Sequence, residues 1–591
     1  MKKKEKISTA KSPDTVKKRK KSEKKINDRE EHASIKDGKK LPYKIGLLIA
    51  ASLIALITFA VFSSALTADF VMWDDNWLIY QNPKLGILNL QNLWSILTDE
   101  TASSSFYTPL GGLRLLIIYT FCDLNPFGYH LYTLLFHCVD AVLLFFIVRK
   151  LVIISLENQR PSEIPQLRID IIAALTALLW SLHPLRVEPV ASASGGVHVQ
   201  AAFFMFLSLL GYFRYSKDKT RCFHWLIISA VCYGASTLSL PITLTFPAVL
   251  VVLDVYPLKR IVVVNGWWKS QEVRRAILDK IPFIAIALMV FVANVAVSAQ
   301  KPGHSYHVSL ANFGLIDRIM QSMYALSYYI WRPFYPVDLA PVYTTLLSFD
   351  PLSMQFILSA FSMIAVSIVL FIFRKRWPIG LAIFLTYIIL LIPAMGFFEH
   401  PYYPVDRYSL APSICLSILI AFGLISLIKN KYFSVISISI LLVIISVLSL
   451  LSLNQVKFWN NSESLFTHMI RTLGNDPYKQ DIYWRLGKYL SENGKKKEAI
   501  INFEKTLEIN PNHPIANYYL AEREYNNGNL IKAIYHFQNI LIVNPNNFKV
   551  HYRLSQLFDK LNKKKEAAYY FERAVNLQRA MLNAQNETSR P

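Results

Sequence analysis

The stretch GLLIAASLIALITFAVFSSAL, Gly46 to Leu66, holds 21 residues and no charge. Wound as a helix it reaches about 30 Å, the thickness of a bilayer's hydrocarbon core. It is too long for the apolar region of a typical signal peptide, so it reads as an anchor that stays on the chain. What precedes it fixes its direction. Residues 1–44 carry 17 Lys and Arg against 7 Asp and Glu, with almost no large apolar side chains, the composition of a solvated, disordered tail. A basic segment abutting an apolar span is the one the positive-inside rule leaves in the cytoplasm, where it also meets anionic lipid.

The whole chain of 591 residues is 53% hydrophobic and 17% charged. The length excludes a single soluble domain, and the apolar share excludes an ordinary multidomain soluble protein. A net charge of +23 would suit nucleic acid, but it concentrates in the tail and in short loops, so no nucleic-acid partner is expected. Further apolar runs begin near Tyr129, Ile171, Val199, Trp225, Ile242, Ile281, Ile319, Leu352, Trp377, Ser409 and Phe433, giving about eleven or twelve spans. Short basic clusters orient them: Arg149, Lys150, Arg160 and Arg168; Arg214, Lys217, Lys219 and Arg221; Lys259 to Lys280; Arg374 to Arg376; Lys429 and Lys431. These mark the cytoplasmic side. Segment 67–128, the turns 183–198 and 397–407, and the chain beyond Leu453 then face outward. Ile319 to Trp331, followed by Arg332, Pro333 and Pro336, fits either a full span or a re-entrant helix. Cys122, Cys138, Cys222, Cys232 and Cys415 lie in or beside apolar runs without metal-ligand spacing and read as small buried apolar residues.

From Val456 the composition turns polar and helical, and a repeat of period 34 emerges. Tyr483, Asn517 and His551 correspond, as do Leu486, Leu520 and Leu554; Ala499, Ala533 and Ala567; Phe503, Phe537 and Phe571; and Asn510-Pro511 with Asn544-Pro545. Small residues where two helices cross, an aromatic wedge and a Pro after the second helix are the tetratricopeptide pattern. Three repeats start at about Asp481, with Trp459 to Asp476 as a leading cap. The expected fold is all-α: a polytopic transmembrane helix bundle followed by an α-solenoid of tetratricopeptide repeats. It divides into a basic cytoplasmic tail (1–44), a membrane domain (45–455) and an extracytoplasmic repeat domain (456–591) that holds extended peptides or proteins.

The outer loops carry the chemistry. The first opens with Phe70-Val-Met-Trp73-Asp74-Asp75-Asn76-Trp77. Adjacent carboxylates beside a membrane are costly unless they serve a purpose. Either Asp74 or Asp75 can act as general base on an acceptor hydroxyl, the pair can hold a divalent cation such as Mg or Mn, or the segment is a solvated acidic turn. His183-Pro184-Leu185-Arg186-Val187-Glu188 ends one span, and Phe397-Phe398-Glu399-His400 leads to Asp406-Arg407-Tyr408 before another. Three separated segments thus deliver Asp, Glu, His and Arg to one face. There Arg407 can grip a phosphate while Asp406 fixes its guanidinium; an interfacial snorkelling pair is the alternative. His130 and His137 read as packed core residues.

At this point the chain resembles the membrane-embedded glycosyltransferases of the C superfamily, GT-C, in the subfamily with C-terminal tetratricopeptide repeats that includes the transmembrane O-mannosyltransferases and many bacterial relatives. The carriers are Trp73-Asp74-Asp75 with Asn82-Pro83, Leu124 to His130, His183-Pro184 with Glu188, Leu253-Asp254-Val255-Tyr256-Pro257, Asp406-Arg407-Tyr408, and Phe458-Trp459-Asn460-Asn461-Ser462. The resemblance implies a polyprenyl-phosphate sugar as donor and inverting transfer to a protein acceptor held by the repeats, in the manner of O-mannosylation. Asp74 and Asp75 map onto the catalytic first-loop carboxylates. Arg407, with Asp406 and Tyr408, would lie near the donor phosphate, and His183, Arg186, Glu188, His198 and Arg114 would support the site. A metal ion, if any, would fall to Asp74 and Asp75.

The chain departs from the pattern in three places. Where relatives carry Arg-Lys-Asp or Gly-Arg-x-Asp, it reads Ser194-Gly195-Gly196-Val197-His198, so the expected arginine falls on Gly196 and the aspartate on His198. Tyr-Arg-Pro-Leu becomes Tyr107-Thr108-Pro109-Leu110, and Ser-Lys-Pro becomes Ser239-Leu240-Pro241. Arg114, Arg186 and His198 are the candidates to supply the missing charge. The alternative to an enzyme is a catalytically degenerate, membrane-anchored repeat adaptor that organises an envelope complex. A transporter is disfavoured by Gly-poor spans without half-to-half similarity. Ile- and Lys-rich usage points to a bacterial plasma membrane.

Overall fold

The computed structural model describes residues 43–98, 106–157, 164–217, 222–262, 266–299, 314–343, 350–396, 404–427 and 431–588. The basic tail up to residue 42, Arg160, Lys219, Arg221 and Lys429 of the orienting clusters, and the stretch Phe397 to His400 lie outside the described residues. The chain divides into Met1–Leu53 and Ile54–Pro591. Residues 43–53 of the first unit begin a helix, α1 (Tyr43–Phe62), and everything that follows concerns the second unit.

Among the described residues every regular element is helical. After α1 the first loop carries α2 (Leu90–Thr98) and α3 (Pro109–Cys122). The bundle continues with α4 (Pro126–Glu157), α5 (Gln166–Ser181), the short α6 (Val187–Ala191), α7 (Gly196–Lys217), α8 (Phe223–Ser239), α9 (Phe246–Val255), α10 (Gln271–Leu278), α11 (Ile281–Ala299), α12 (Leu315–Trp331), α13 (Met354–Ile372), α14 (Pro378–Leu391), α15 (Ser413–Leu427) and α16 (Lys431–Phe458). Its centre is α4, which packs between α5 and α7; α8 covers α7, and α15 and α16 lean on α5.

All twelve expected apolar runs are helices, and they differ in length and composition. Among the described residues five stretches are long and apolar enough, by length and composition, to cross a membrane: Lys44–Thr67, Gly196–Lys217, Gln271–Val297, Met354–Lys375 and Val435–Phe458. Gln166–Ser181 joined to Pro184–Ala191 makes a sixth if the pair, bent by 60°, is one span. Pro184 opens the second leg and cannot continue the first. Phe223–Ser239, Pro241–Val255, Pro378–Ala394 and Ser413–Leu427 are shorter apolar helices, below the roughly 20 residues a hydrocarbon core demands. The undecided segment after Gly314 is a single helix of 17 residues, α12, that buries Arg318 and Gln321 and ends in the tight turn Arg332–Phe334.

Beyond α16 come α17 (Ser462–Thr472), α18 (Lys479–Glu492), α19 (Lys496–Ile509), α20 (Pro514–Asn526), α21 (Leu530–Val543), α22 (Phe548–Lys560) and α23 (Lys564–Thr588). Asn461 caps α17, its side chain accepting from Ser464 N at 2.9 Å. The remaining six form three packed pairs. Gly494, Gly528 and Asn562 take positive φ in the turns within the pairs, the left-handed conformation that ends a helix before a tight return. Ala499, Phe503, Ala533 and Phe537 are buried, as the period requires.

Candidate active site

Two bends in the chain bring the first loop against the turn between α6 and α7. Residues 71–75 form a tight turn in which Asp75 folds back on its own backbone: Val71 N donates to Oδ2 at 3.0 Å. From the other segment Ser194 N donates to Oδ1 at 2.9 Å and Ser192 Oγ at 3.5 Å. Asp75 is fully buried. That burial pushes its carboxyl up from 3.8 to about 6, and the hydrogen bonds oppose the shift without cancelling it. Asp74 points elsewhere. Its Oδ2 accepts from Arg407 Nη1 at 2.9 Å, and its side chain keeps 25% exposure. The neighbouring acids are therefore held by different partners, one in the protein interior and one at an accessible edge. Among the described residues no group of three His, Cys, Asp or Glu is placed to hold a metal ion.

Arg407 is the junction of three distant segments. Its guanidinium also stands 3.2 Å from Glu188 Oε1, and its backbone N donates to Glu188 Oε2 at 2.9 Å. Glu188 is nearly buried, whereas Arg407 keeps 24% exposure. The residues on either side are pinned as firmly. Tyr329 OH donates to Val405 O at 2.9 Å and accepts from Val405 N at 3.0 Å. Tyr343 OH donates to Asp406 Oδ2 at 2.7 Å and Tyr328 OH to Oδ1 at 3.2 Å. Arg186 Nη2 donates to Ser409 Oγ at 2.8 Å, and Trp180 Nε1 to Leu410 O at 3.1 Å. Asp406 thus faces inward, toward α12 and Tyr343. Burial raises its carboxyl from 3.8 to about 6, against the pull of Arg332 and the two tyrosine hydroxyls.

The structure gathers Asp74, Glu188, Arg407, Tyr408 and His198: the Arg407 guanidinium lies 5.8 Å from the Tyr408 ring, whose centroid is 5.9 Å from that of His198. Arg186 sits behind this group, 1% exposed, against the Trp180 ring at 5.4 Å, with Nε and Nη1 free of hydrogen bonds. His183 acts as a fastener. Its Nδ1 accepts from Leu185 N at 3.2 Å and Nε2 lies 2.9 Å from Pro333 O, so the ring is neutral with the proton on Nε2. Arg114 lies under the 192–194 turn, beside Gly196, where the resemblance calls for arginine. His130 and His137 are buried on α4. Sequence reasoning missed Tyr328, Tyr343 and Arg332, which fix Asp406, and Ser192 and Ser194, which fix Asp75. Tyr328 lies in an apolar run that resembled a span, Tyr343 in the loop beyond it, and the serines carry no signal of their own.

The repeats are bolted to the same loop. Asp69 N donates to Asn460 O at 2.8 Å, and Met72 N to Ser462 Oγ at 2.8 Å. Arg485 of α18 lies 5.3 Å from the ring of Trp73, the residue before the acid pair. Gln455 Nε2 donates to Leu339 O at 2.8 Å, and His468 Nε2 is 2.9 Å from the same oxygen.

Comparison with known proteins gives this arrangement a context. The tetratricopeptide repeat family model matches residues 480–513 and 548–581. The chain is 23% identical over 525 residues to "Protein O-mannosyl-transferase TMTC1" of Homo sapiens, covering 79% of this chain and 56% of that protein. It is 27% identical over 223 residues to "Protein O-mannosyl-transferase TMTC2" of Homo sapiens, covering 36% and 25%. It is 27% identical over 168 residues to "Protein O-mannosyl-transferase Tmtc1" of Drosophila melanogaster, covering 28% and 18%. Its relatives are protein O-mannosyl-transferases. The resemblance carried by the motifs is borne out, as are the transmembrane helices and the repeats. The chain spans about half the length of TMTC1.

Proposed function

We propose that the chain is a multi-pass glycosyltransferase that moves a sugar, mannose or another hexose, from a polyprenyl-phosphate donor to a hydroxyl of a protein acceptor. Catalysis takes place on the extracytoplasmic face of a bacterial plasma membrane, with the N-terminus inside and the repeats outside holding the acceptor. The observation that carries this reading is the meeting of Asp74, Glu188 and Arg407, three residues from separate segments, in a relative of O-mannosyl-transferases.

The chemistry follows from the partners. Asp74 Oδ2 is held by Arg407, while Oδ1 has no partner among the described residues and stands at an accessible edge. Oδ1 takes the proton of the acceptor hydroxyl as its oxygen attacks the anomeric carbon. The bond from that carbon to the lipid phosphate breaks with its electron pair, and the phosphate gains a charge that Arg407 offsets, with Arg186 behind it. A single displacement inverts the anomeric centre. Glu188 keeps Arg407 oriented, and Asp75 fixes the turn that carries Asp74. An apolar cavity of about 80 Å³, lined by Phe206, Leu253, Ile383, Ile414 and Cys415 among others, lies within the helix bundle. Phe206 packs on Trp180, which carries Arg186. The first isoprene units of the donor enter there.

Purified protein supplied with a radiolabelled polyprenyl-phosphate hexose and extracted envelope proteins should transfer label to protein. Absence of both transfer and donor hydrolysis would favour the adaptor reading. Orientation is tested by Asn527→Cys, which a membrane-impermeant thiol reagent should reach in intact cells.

A further inference from the structure

A single peptide unit stands between two buried charges. The unit joining Ala193 to Ser194 offers its N–H to Asp75 Oδ1 at 2.9 Å and its carbonyl to Arg114 Nη1 at 3.3 Å. In a planar trans unit the N–H and C=O point in opposite directions. The carboxylate therefore meets the positive end of the peptide dipole and the guanidinium its negative end. Arg114 Nη2 adds the carbonyl of Ser194 at 3.4 Å. Arg114 is 4% exposed, Nε has no hydrogen-bond partner, and the Tyr132 ring lies 5.8 Å from the guanidinium. Among the described residues no carboxylate forms an ion pair with it. A guanidinium buried so deeply is costly unless an opposite charge compensates it. The carboxylate that acts on it electrostatically is Asp75.

Gly196 makes room for this arrangement. A Cβ at that position would collide with Arg114 Nη1 and with Thr133 Oγ1. The guanidinium thus fills the space that any side chain at position 196 would need.

We propose that Arg114 is a positioning residue that clamps the first-loop acids through the Ala193–Ser194 peptide, keeping Asp75 ionised and Asp74 aimed at the acceptor. Its effect on transfer rests on the glycosyltransferase reading; its effect on Asp75 does not. The groups facing the pair are Asp74 and Tyr80 from the first loop, Tyr129 and Tyr132 from α4, and His198 from α7. Removing Arg114 withdraws the positive charge that interacts with Asp75 across the shared peptide, so the Asp75 carboxyl rises further.

The test compares full-length wild type, Arg114→Met, Arg114→Lys and Gly196→Ala in detergent, by thermal unfolding at pH 5 and pH 8 and by label transfer across pH. In Arg114→Met the loss of Tm should be larger at pH 8, where Asp75 is ionised, than at pH 5, where it is protonated with or without the arginine. The acid limb of transfer should move up by about one pH unit. Arg114→Lys restores the charge, so its limb should stay near the wild-type position while its rate falls with the lost two-pronged grip. If Arg114→Met does not fold, Gly196→Ala, which displaces the guanidinium, carries the same comparison. Equal Tm losses at both pH values would reduce Arg114 to a packing residue and overturn the proposal. If wild type transfers nothing, the glycosyltransferase reading fails, and the unfolding comparison still decides the clamp.

Discussion

Asp74→Asn keeps the shape of the side chain and removes its capacity to take a proton. The pair it forms with Arg407 is about three-quarters buried at each partner. Such an ion pair contributes at most about 1 kcal/mol after solvent screening, and Arg407 retains Glu188 at 3.2 Å. For a chain of this size the shift in Tm should stay below about 2 °C. The effect on chemistry is far larger, because a positioned base contributes about 10²- to 10⁴-fold, or about 3 to 5 kcal/mol of barrier. The assay measures label transfer from a polyprenyl-phosphate hexose to protein, with donor KM and Tm determined on the same preparation. Transfer should fall at least 100-fold, with donor KM within about threefold because Arg407 remains in place. If Asp74→Asn keeps a tenth or more of wild-type transfer, Asp74 is not the base. A large fall in Tm would assign the loss to folding instead.

Two further perturbations address the buried acid and the lipid. Asp406 has a folded pKa of about 6, above its ordinary 3.8, so its contribution to stability is fully present below about 4 and is lost as pH rises through 6. Tm should therefore decline between pH 4 and pH 7, and Asp406→Asn should flatten that decline relative to wild type, as thermal scans across pH will measure. Ala382→Phe fills part of the apolar cavity; it should raise donor KM several-fold while leaving kcat at saturating donor near wild type, and an unchanged KM would remove the cavity from the donor path.

The legibility of the sequence follows the range of the interactions involved. The repeats could be read because each position recurs after 34 residues in the same packing environment, and Phe503 and Phe537 are buried accordingly. Phe571, their counterpart, is 51% exposed, because among the described residues no helix pair packs over it; the period predicts the position of the wedge but not the packing on its far side. Apolar runs located twelve helices but not α3, α6 or α10, and prolines such as Pro241 and Pro393 start new helical turns within the runs. The site was legible as a set of residue types on one face. Its wiring was not: Asp74 and Arg407 are 333 positions apart, and nothing local in Asp74-Asp75 tells which acid turns inward. That choice depends on two N–H groups, from Val71 and Ser194, that meet only in the folded chain.

The same loop determines what removal of the repeats should do. Between Asp69 and Met72, three backbone donors go to three different acceptors: Asp69 to Asn460 O, Val71 to Asp75 and Met72 to Ser462 Oγ. Leaving one such N–H buried without a partner costs about 1 to 3 kcal/mol. The loop therefore cannot relax cheaply when either partner segment is lost. Truncation after Gln455 takes away Asn460 and Ser462 as well as the repeats, so it should abolish donor hydrolysis along with protein transfer, although every proposed catalytic side chain remains. Truncation after Gly474 keeps α17, with both loop contacts and His468 against Leu339, but deletes Arg485 and all three repeat pairs. It should retain donor hydrolysis and lose transfer to protein. Measuring the two activities in both truncations distinguishes a repeat domain that only holds the acceptor from one whose first helix is structurally part of the active site. If the shorter truncation hydrolyses donor as well as the longer one, the loop needs no support from Asn460 and Ser462, and the coupling argued from these hydrogen bonds is wrong.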